Sequence, residues 1–263
     1  MTFRLYTIRF KPMTKEEQQL EKRLLELGRT AYQRGIVTFS DFLNLNELHI
    51  FQGVQRELSY LQTESYGGYE LAERQIAVFR PEASLFYADY PVSCLKITPL
   101  QAKFAEELTH RDYLGAVLNL GLDRSCLGDI LVEKEETYLF CLTRMQDFIC
   151  ENLTRVRHTS VSAEPVDPAG FHYEPRYREI TGTVASVRLD RLLSLAFGSS
   201  RSSLSGLIEG GKVFVNGKLI LSNGYQLKEG DLVSVRGMGR FRYQGSKGQS
   251  KKGREYVTLQ RYI

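Results

Sequence analysis

Arginine and lysine recur between residues 188 and 242 where a folded chain would present them together: Arg188, Arg191, Arg201, Lys212, Lys218, Arg236, Arg240 and Arg242. Ser200, Ser202 and Ser205 add hydroxyl donors. Asn216-Gly217 is a strong two-residue hairpin signal, and such a turn lets a strand tip approach a backbone closely. Cationic groups beside helix starts and tight turns meet phosphates together with backbone N–H groups and the positive ends of helices. The chemistry these residues support is recognition of a polyanion. No nucleophile, paired carboxylate or glycine-rich phosphate loop stands among them, so the segment is expected to bind without catalysing.

The charge distribution points the same way. The 263 residues carry a net charge of +4, but residues 176–263 hold 16 Lys+Arg against 6 Asp+Glu, while residues 1–175 are net negative. A cationic third on a slightly acidic body suggests a nucleic-acid partner; the plainer alternative is a solvated surface that aids solubility. No apolar run reaches the ~18 residues a membrane span needs, and the first residues lack the apolar core of a secretory signal. The chain is expected to be cytoplasmic and monomeric, with no cofactor, metal, membrane or small-molecule partner. Cys94, Cys126, Cys141 and Cys150 have no CxxC spacing and read as small buried hydrophobes.

The elements that must position the cations follow from periodicity. Thr14 to Glu17 reads as a capping box, with Leu20, Leu24, Leu27 and Ala31 at helical spacing behind it. Ser40 is expected to cap a second helix, making residues 1–70 a helical N-terminal unit. From 71 to 165 short β-branched runs alternate with helical ones, Gln75–Arg80 and Val92–Thr98 being the first strands and Thr143 opening the last helix. The order β-β-α-β-β-α-β suits an α/β sandwich of ferredoxin or RNA-recognition type. Residues 166–180 read as a linker and 181–244 as the basic unit, in which Asp190 and Ser200 cap two short helices. In 245–263, the final strand returns against Arg240–Tyr243. The loop between would carry Lys247, Lys251, Lys252 and Arg254 as a second phosphate-contact patch. The fold class is therefore α+β.

The runs VRLDRLL, SSRSSLSGLIEGGKVFVNGKLI and LKEGDLVSV resemble the S4 RNA-binding domain, also called the αL module. Ser202-Ser203-Leu204 departs from the small or basic residues usual after its Ser-Arg. HRDYLGAVLNLGLDRSCLGDILV, residues 110–132, is similar to the YlmH family of Gram-positive bacteria, whose members end in such a domain. The resemblance implies RNA binding on the ribosome, with ribosomal RNA and tRNA of the large subunit as partners, in quality control of stalled translation. A cell-division role also attaches to the family, which leaves a protein-interaction factor as the rival.

Arg188-Leu189-Asp190 evokes the catalytic aspartate of pseudouridine synthases, but only about 20 residues follow the S4-like segment, too few for a synthase domain. Arg111, Asp112, Asp123, Arg124 and Asp129 form a dense polar set with two readings: an RNA or partner surface, or a salt-bridged turn that fixes a helix-to-strand connection.

Overall fold

The computed structural model describes residues 13–82, 89–101, 103, 105–133, 136–167, 171 and 173–263, with Arg201 described for its backbone alone. Thr14 forms the expected capping box: its Oγ1 accepts from Glu17 N at 3.2 Å and its N–H donates to Glu17 Oε2 at 2.8 Å. This starts α1 (Lys15–Arg34), which ends at Gly35 in the left-handed region. The next segment departs from expectation. Thr38–Leu43 is a strand, β1, with Thr38, Ser40 and Phe42 buried. Ser40 caps nothing; its hydroxyl accepts from Ala77 N at 2.8 Å. Asn44 with Glu47 supplies the capping box of α2 (Leu45–Glu57). Strands β2 (Leu61–Tyr66) and β3 (Gln75–Pro81) complete an antiparallel sheet of order β1-β3-β2. The N-terminal unit thus has a sheet as well as helices, and Gln75–Arg80 belongs to it rather than to the middle sheet. The two helices cover one face, Leu24, Ala31, Phe51 and Val54 packing with Phe79 of β3.

The middle unit runs β4 (Val92–Pro99), α3 (His110–Leu118), β5 (Leu127–Val132), β6 (Thr137–Leu142), α4 (Gln146–Asn152), β7 (Arg155–Val156), β8 (Thr159–Val166). Its antiparallel order, β5-β6-β4-β8-β7, is the ferredoxin arrangement of a β-α-β-β-α-β chain with one short strand added at the edge. Arg157, at φ 51°, breaks the single strand expected over Arg155–Ala163 into a β7–β8 hairpin. Thr143 does not cap the last helix of this unit as expected: its Oγ1 accepts from Ser93 Oγ at 3.1 Å, and α4 starts without a side-chain cap. Helices α3 and α4 cover one face of this sheet. The other face, with Cys94, Phe140 and Leu142, packs on Phe42, Ile76 and Val78 of the N-terminal sheet. Gly128 permits that approach, since a Cβ there would lie 2.8 Å from both Phe140 Cβ and Phe42 Cε1.

The C-terminal unit begins earlier than expected. Strand β9 (Tyr177–Val184) starts inside the presumed linker and pairs along its whole length with the last strand. Then come α5 (Leu189–Phe197), α6 (Arg201–Glu209), β10 (Val213–Val215), β11 (Lys218–Leu219), β12 (Leu232–Val235), β13 (Gly239–Gln249) and β14 (Glu255–Tyr262). The six strands order as β11-β10-β12-β13-β14-β9. The terminal strand does return against β13, with Phe241 opposite Arg261 and Tyr243 opposite Leu259. Leu192, Leu193, Leu204 and Ile208 of the two helices meet Val213, Val233, Val235, Phe241 and Leu259 on one face of this sheet.

Candidate nucleic-acid interface

The start of α5 is held by the chain around it. Leu189 N donates to Tyr225 O at 2.8 Å and Asp190 N to Asn223 O at 3.3 Å. Asp190 is not the helix cap; that position is Arg188. The Asp190 carboxylate lies in the first turn, nearly buried, and takes two hydrogen bonds from the Arg188 guanidinium, at 3.0 and 3.2 Å. Such a bidentate pair fixes the orientation of a planar cation. Arg191 Nη1 donates to Ser186 Oγ at 2.6 Å, and its Nε is buried without a hydrogen-bond partner among the described residues.

Ser200 caps α6 as expected, its Oγ accepting from Ser203 N at 3.4 Å. Ser200 and Ser202 are exposed, their hydroxyls 3.1 Å apart, and Ser205 is half-buried. Ser203 and Gly206, which the sequence did not single out, are exposed on the same helix. Helix α6 starts beyond the C-terminal end of α5, roughly 9 Å of helix rise from Arg191. The Arg201 side chain lies outside the described residues.

Lys212 and Arg236 come together at the far end of α6, where Arg236 N donates to Lys212 O at 2.9 Å. Both are exposed, and among the described residues neither forms an ion pair. Their place beyond the α6 C-terminus suits cations. Asn216 and Gly217 adopt φ 49° and 74°, the tight turn expected. Yet the tip is not free. Asn216 Nδ2 donates to Asp231 Oδ1 at 2.8 Å and its Oδ1 accepts from Leu232 N at 2.9 Å. A Cβ on Gly217 would lie 3.2 Å from Gln52 Nε2 of α2. Lys218 remains exposed beside that contact.

Arg240 is drawn inward. Its side chain is 12% exposed, Nη1 donates to Leu71 O, Nε stands 4.0 Å from Glu73 Oε1, and the guanidinium lies 5.4 Å from the Tyr262 ring centre. This residue braces the C-terminal unit against the N-terminal one, so its cation is not available to a phosphate. Arg242 is half-buried, with Nε donating to Tyr262 Oη at 3.3 Å. Lys247, Lys251 and Lys252 are exposed around the β13–β14 turn, and Arg254 ties that turn to Thr183 O at 2.6 Å. Val235 pairs with Gly239 at one end of β13 and Gln249 with Glu255 at the other. The Lys212–Arg236 and Lys247–Lys252 patches therefore sit at opposite ends of β13, roughly 30 Å apart at strand spacing.

The polar set of the middle unit is a joint. Asp129 accepts from Tyr69 Oη at 2.7 Å, Glu73 N at 2.7 Å and Arg74 N at 3.1 Å. Arg74 donates to the carbonyls of Leu127, Phe42 and Arg124 at 2.8, 3.0 and 3.0 Å. Arg124 donates to Leu127 O at 2.7 Å and Gly128 O at 3.0 Å. Burial, with the Arg74 cation adding to it, pushes the Arg124 guanidinium down to about 10. Burial also lifts the Glu73 carboxyl above its usual range, the Arg240 cation pulling against it. Asp112 caps α3, accepting from Thr109 N at 2.9 Å, and pairs with Arg157 at 3.5 Å. Arg111 and Asp123 are exposed.

Known proteins resemble this chain in the same places. Residues 187–233 match the S4 domain, and residues 87–169 match the family described as "Putative RNA-binding domain in YlmH". Over 251 residues the chain is 30% identical to the Ribosome-associated protein quality control protein P2 of Bacillus subtilis (strain 168), covering 94% of this chain and 96% of that protein. The chain belongs to the YlmH family of S4-domain RNA-binding proteins. A solved structure, Cell division protein ylmH from Streptococcus pneumoniae, is similar at a TM-score of 0.49 and 22% identity, covering 60% of this chain and 95% of that one. In this YlmH-family chain the S4 match spans α5 to β12, so β9, β13 and β14 extend the sheet beyond the matched residues. The middle match covers β4 to β8, whose sheet face is occupied by the N-terminal sheet. RNA-recognition folds stack bases on that face; here it is core.

Proposed function

We propose that this protein is a non-enzymatic factor that associates with the ribosome through its C-terminal unit and takes part in the quality control of stalled translation, with ribosomal RNA and tRNA of the large subunit as its ligands. The single observation that carries the RNA contact is the Lys212–Arg236 pair, two exposed cations that form no ion pair among the described residues, at one end of a helix pair of S4 type. The small exposed residues of α6, Ser202, Ser203 and Gly206, let a phosphate backbone come close to the helix. Ser200 and Arg201 stand at its first turn, and Arg188 and Arg191 at the start of α5. Lys247, Lys251 and Lys252 form a separate contact at the other end of β13. The relative named for ribosome-associated quality control supports the cellular setting.

Sedimentation of purified protein with ribosomal subunits through a sucrose cushion tests this. The protein is expected to pellet with large subunits, to shift to the supernatant after nuclease treatment, and to leave small subunits alone. Pelleting that survives complete RNA digestion would assign the attachment to protein contacts instead.

A further inference from the structure

A cleft of about 430 Å³ lies between the outer face of the C-terminal sheet and the segment around Tyr173. That volume falls in the ~300–1,000 Å³ range of sites that enclose small planar ligands. None of the contacts proposed above uses it. Its floor comes from strand alternation: Phe241, Tyr243 and Leu259 face the helices, so Arg242 and Gln260, directly opposite one another, face outward. Tyr262 and Tyr177 form the next cross-strand pair on that outer face. Tyr177 is left 51% exposed at the sheet edge.

The walls are aromatic and held in place. The Arg240 guanidinium, itself fixed to Leu71 O, backs the Tyr262 ring. The Tyr173 ring stands 5.1 Å from that of Tyr69 at 73°. Arg242, hydrogen-bonded to Tyr262 Oη, forms no ion pair among the described residues. Glu70 also lines the cleft.

We propose that this cleft is a subsite for one unpaired nucleobase of the bound RNA. Tyrosine rings offer faces on which any base can stack, and a guanidinium beside them meets the adjoining phosphate. The Gln260 Oε1 already accepts from Gln244 Nε2 at 2.6 Å, which leaves its amide N–H groups to donate to a base edge, and a carboxylate such as Glu70 accepts from an exocyclic amine. A duplex would not use such a site, because its bases are stacked on one another and only a splayed base can enter a concave cleft. The middle sheet has its stacking face buried, and the C-terminal sheet supplies aromatic side chains on an open face in its stead. The subsite rests on the RNA-binding reading above, as an additional contact of the same unit.

The test uses the full chain and two RNA hairpins with the same stem, one blunt and one carrying a short single-stranded overhang labelled with 2-aminopurine. Wild-type protein is expected to bind the overhang RNA about tenfold more tightly than the blunt one, the scale of one base stacked on an aromatic ring, with a change in 2-aminopurine fluorescence on binding. Tyr177→Ala should erase that preference and leave the blunt affinity in place, while Tyr177→Trp keeps it. Arg242→Gln should weaken the overhang RNA alone. Equal wild-type affinity for both RNAs, or a preference that survives both Tyr177→Ala and Arg242→Gln, overturns the subsite while RNA binding by the chain stands. Failure of wild-type protein to bind either RNA overturns both.

Discussion

A chain carrying Lys212→Glu and Arg236→Glu is expected to bind structured RNA at least a hundredfold more weakly than wild type, while its melting temperature falls by only a few degrees. The two cations sit together at the end of α6, exposed and in no ion pair among the described residues. Each charge-assisted contact to phosphate is worth roughly a factor of ten in affinity, and reversing the charge adds repulsion to the loss. The slope of log affinity against log salt should fall by about 1.5, since each phosphate neutralised contributes roughly 0.7–0.9. Folding should survive because the Arg236 N to Lys212 O bond is made by backbone atoms and exposed substitutions away from core and caps shift stability by less than about 0.5 kcal/mol. Fluorescence anisotropy across a salt series, beside a thermal melt, reads both quantities. An unchanged salt slope in a folded double variant would remove these residues from the interface.

The opposite pattern is expected for Asp129→Ala: a large loss of stability with RNA affinity retained by the protein that remains folded. Asp129 takes three hydrogen bonds from Tyr69, Glu73 and Arg74, all residues of the segment between β2 and β3. Its loss leaves two backbone N–H groups without an acceptor. It also takes the nearby carboxylate from Arg74 and Arg124, both half-buried. Breaking a buried charged network of this kind costs about 3–5 kcal/mol, and a melting point falls by roughly 2–4 °C per kcal/mol in chains of this size. A drop on the order of 10 °C by calorimetry is the expected result. A variant that melted with wild type but lost RNA binding would restore the polar set at 111–129 as an RNA surface.

The contrast between these two sites shows where a sequence speaks plainly. The Thr14 box, the Asn216-Gly217 turn and the returning terminal strand were legible because each depends on neighbours a few residues apart: a hydroxyl and a carboxylate one turn apart, two residues that tolerate positive φ, an alternation of period two. Strand β1 was not, because Ser40 serves equally as a helix cap or as a hydroxyl bonding a neighbouring strand, and only Ala77 decides between them. Strand β9 was hidden because it has a partner on one side alone and shows water a polar face, so its residues read as linker. Side-chain fate was the least legible. Arg240 and Lys212 look alike in sequence, yet one reaches a carbonyl 169 positions away and the other stays exposed. In the same way Arg74 attracted no notice in the sequence, although carbonyls of two sheets and of the turn at Arg124 converge on it. The cationic unit was found from composition, whereas the choice of which cations face outward belonged to the packing.

RNA is expected to meet this protein at the helix pair and strand ends of its C-terminal unit, and a map of contacts on the intact chain shows whether it does. Ultraviolet crosslinking of the full protein to large ribosomal subunits, followed by mass spectrometry of the RNA-bearing peptides, gives that map. Adducts are expected on peptides covering residues 199–218 and 236–252, and to vanish from the first of these in the Lys212→Glu, Arg236→Glu chain. Adducts confined to residues 110–133, with none beyond residue 176, would place the RNA on the middle unit instead.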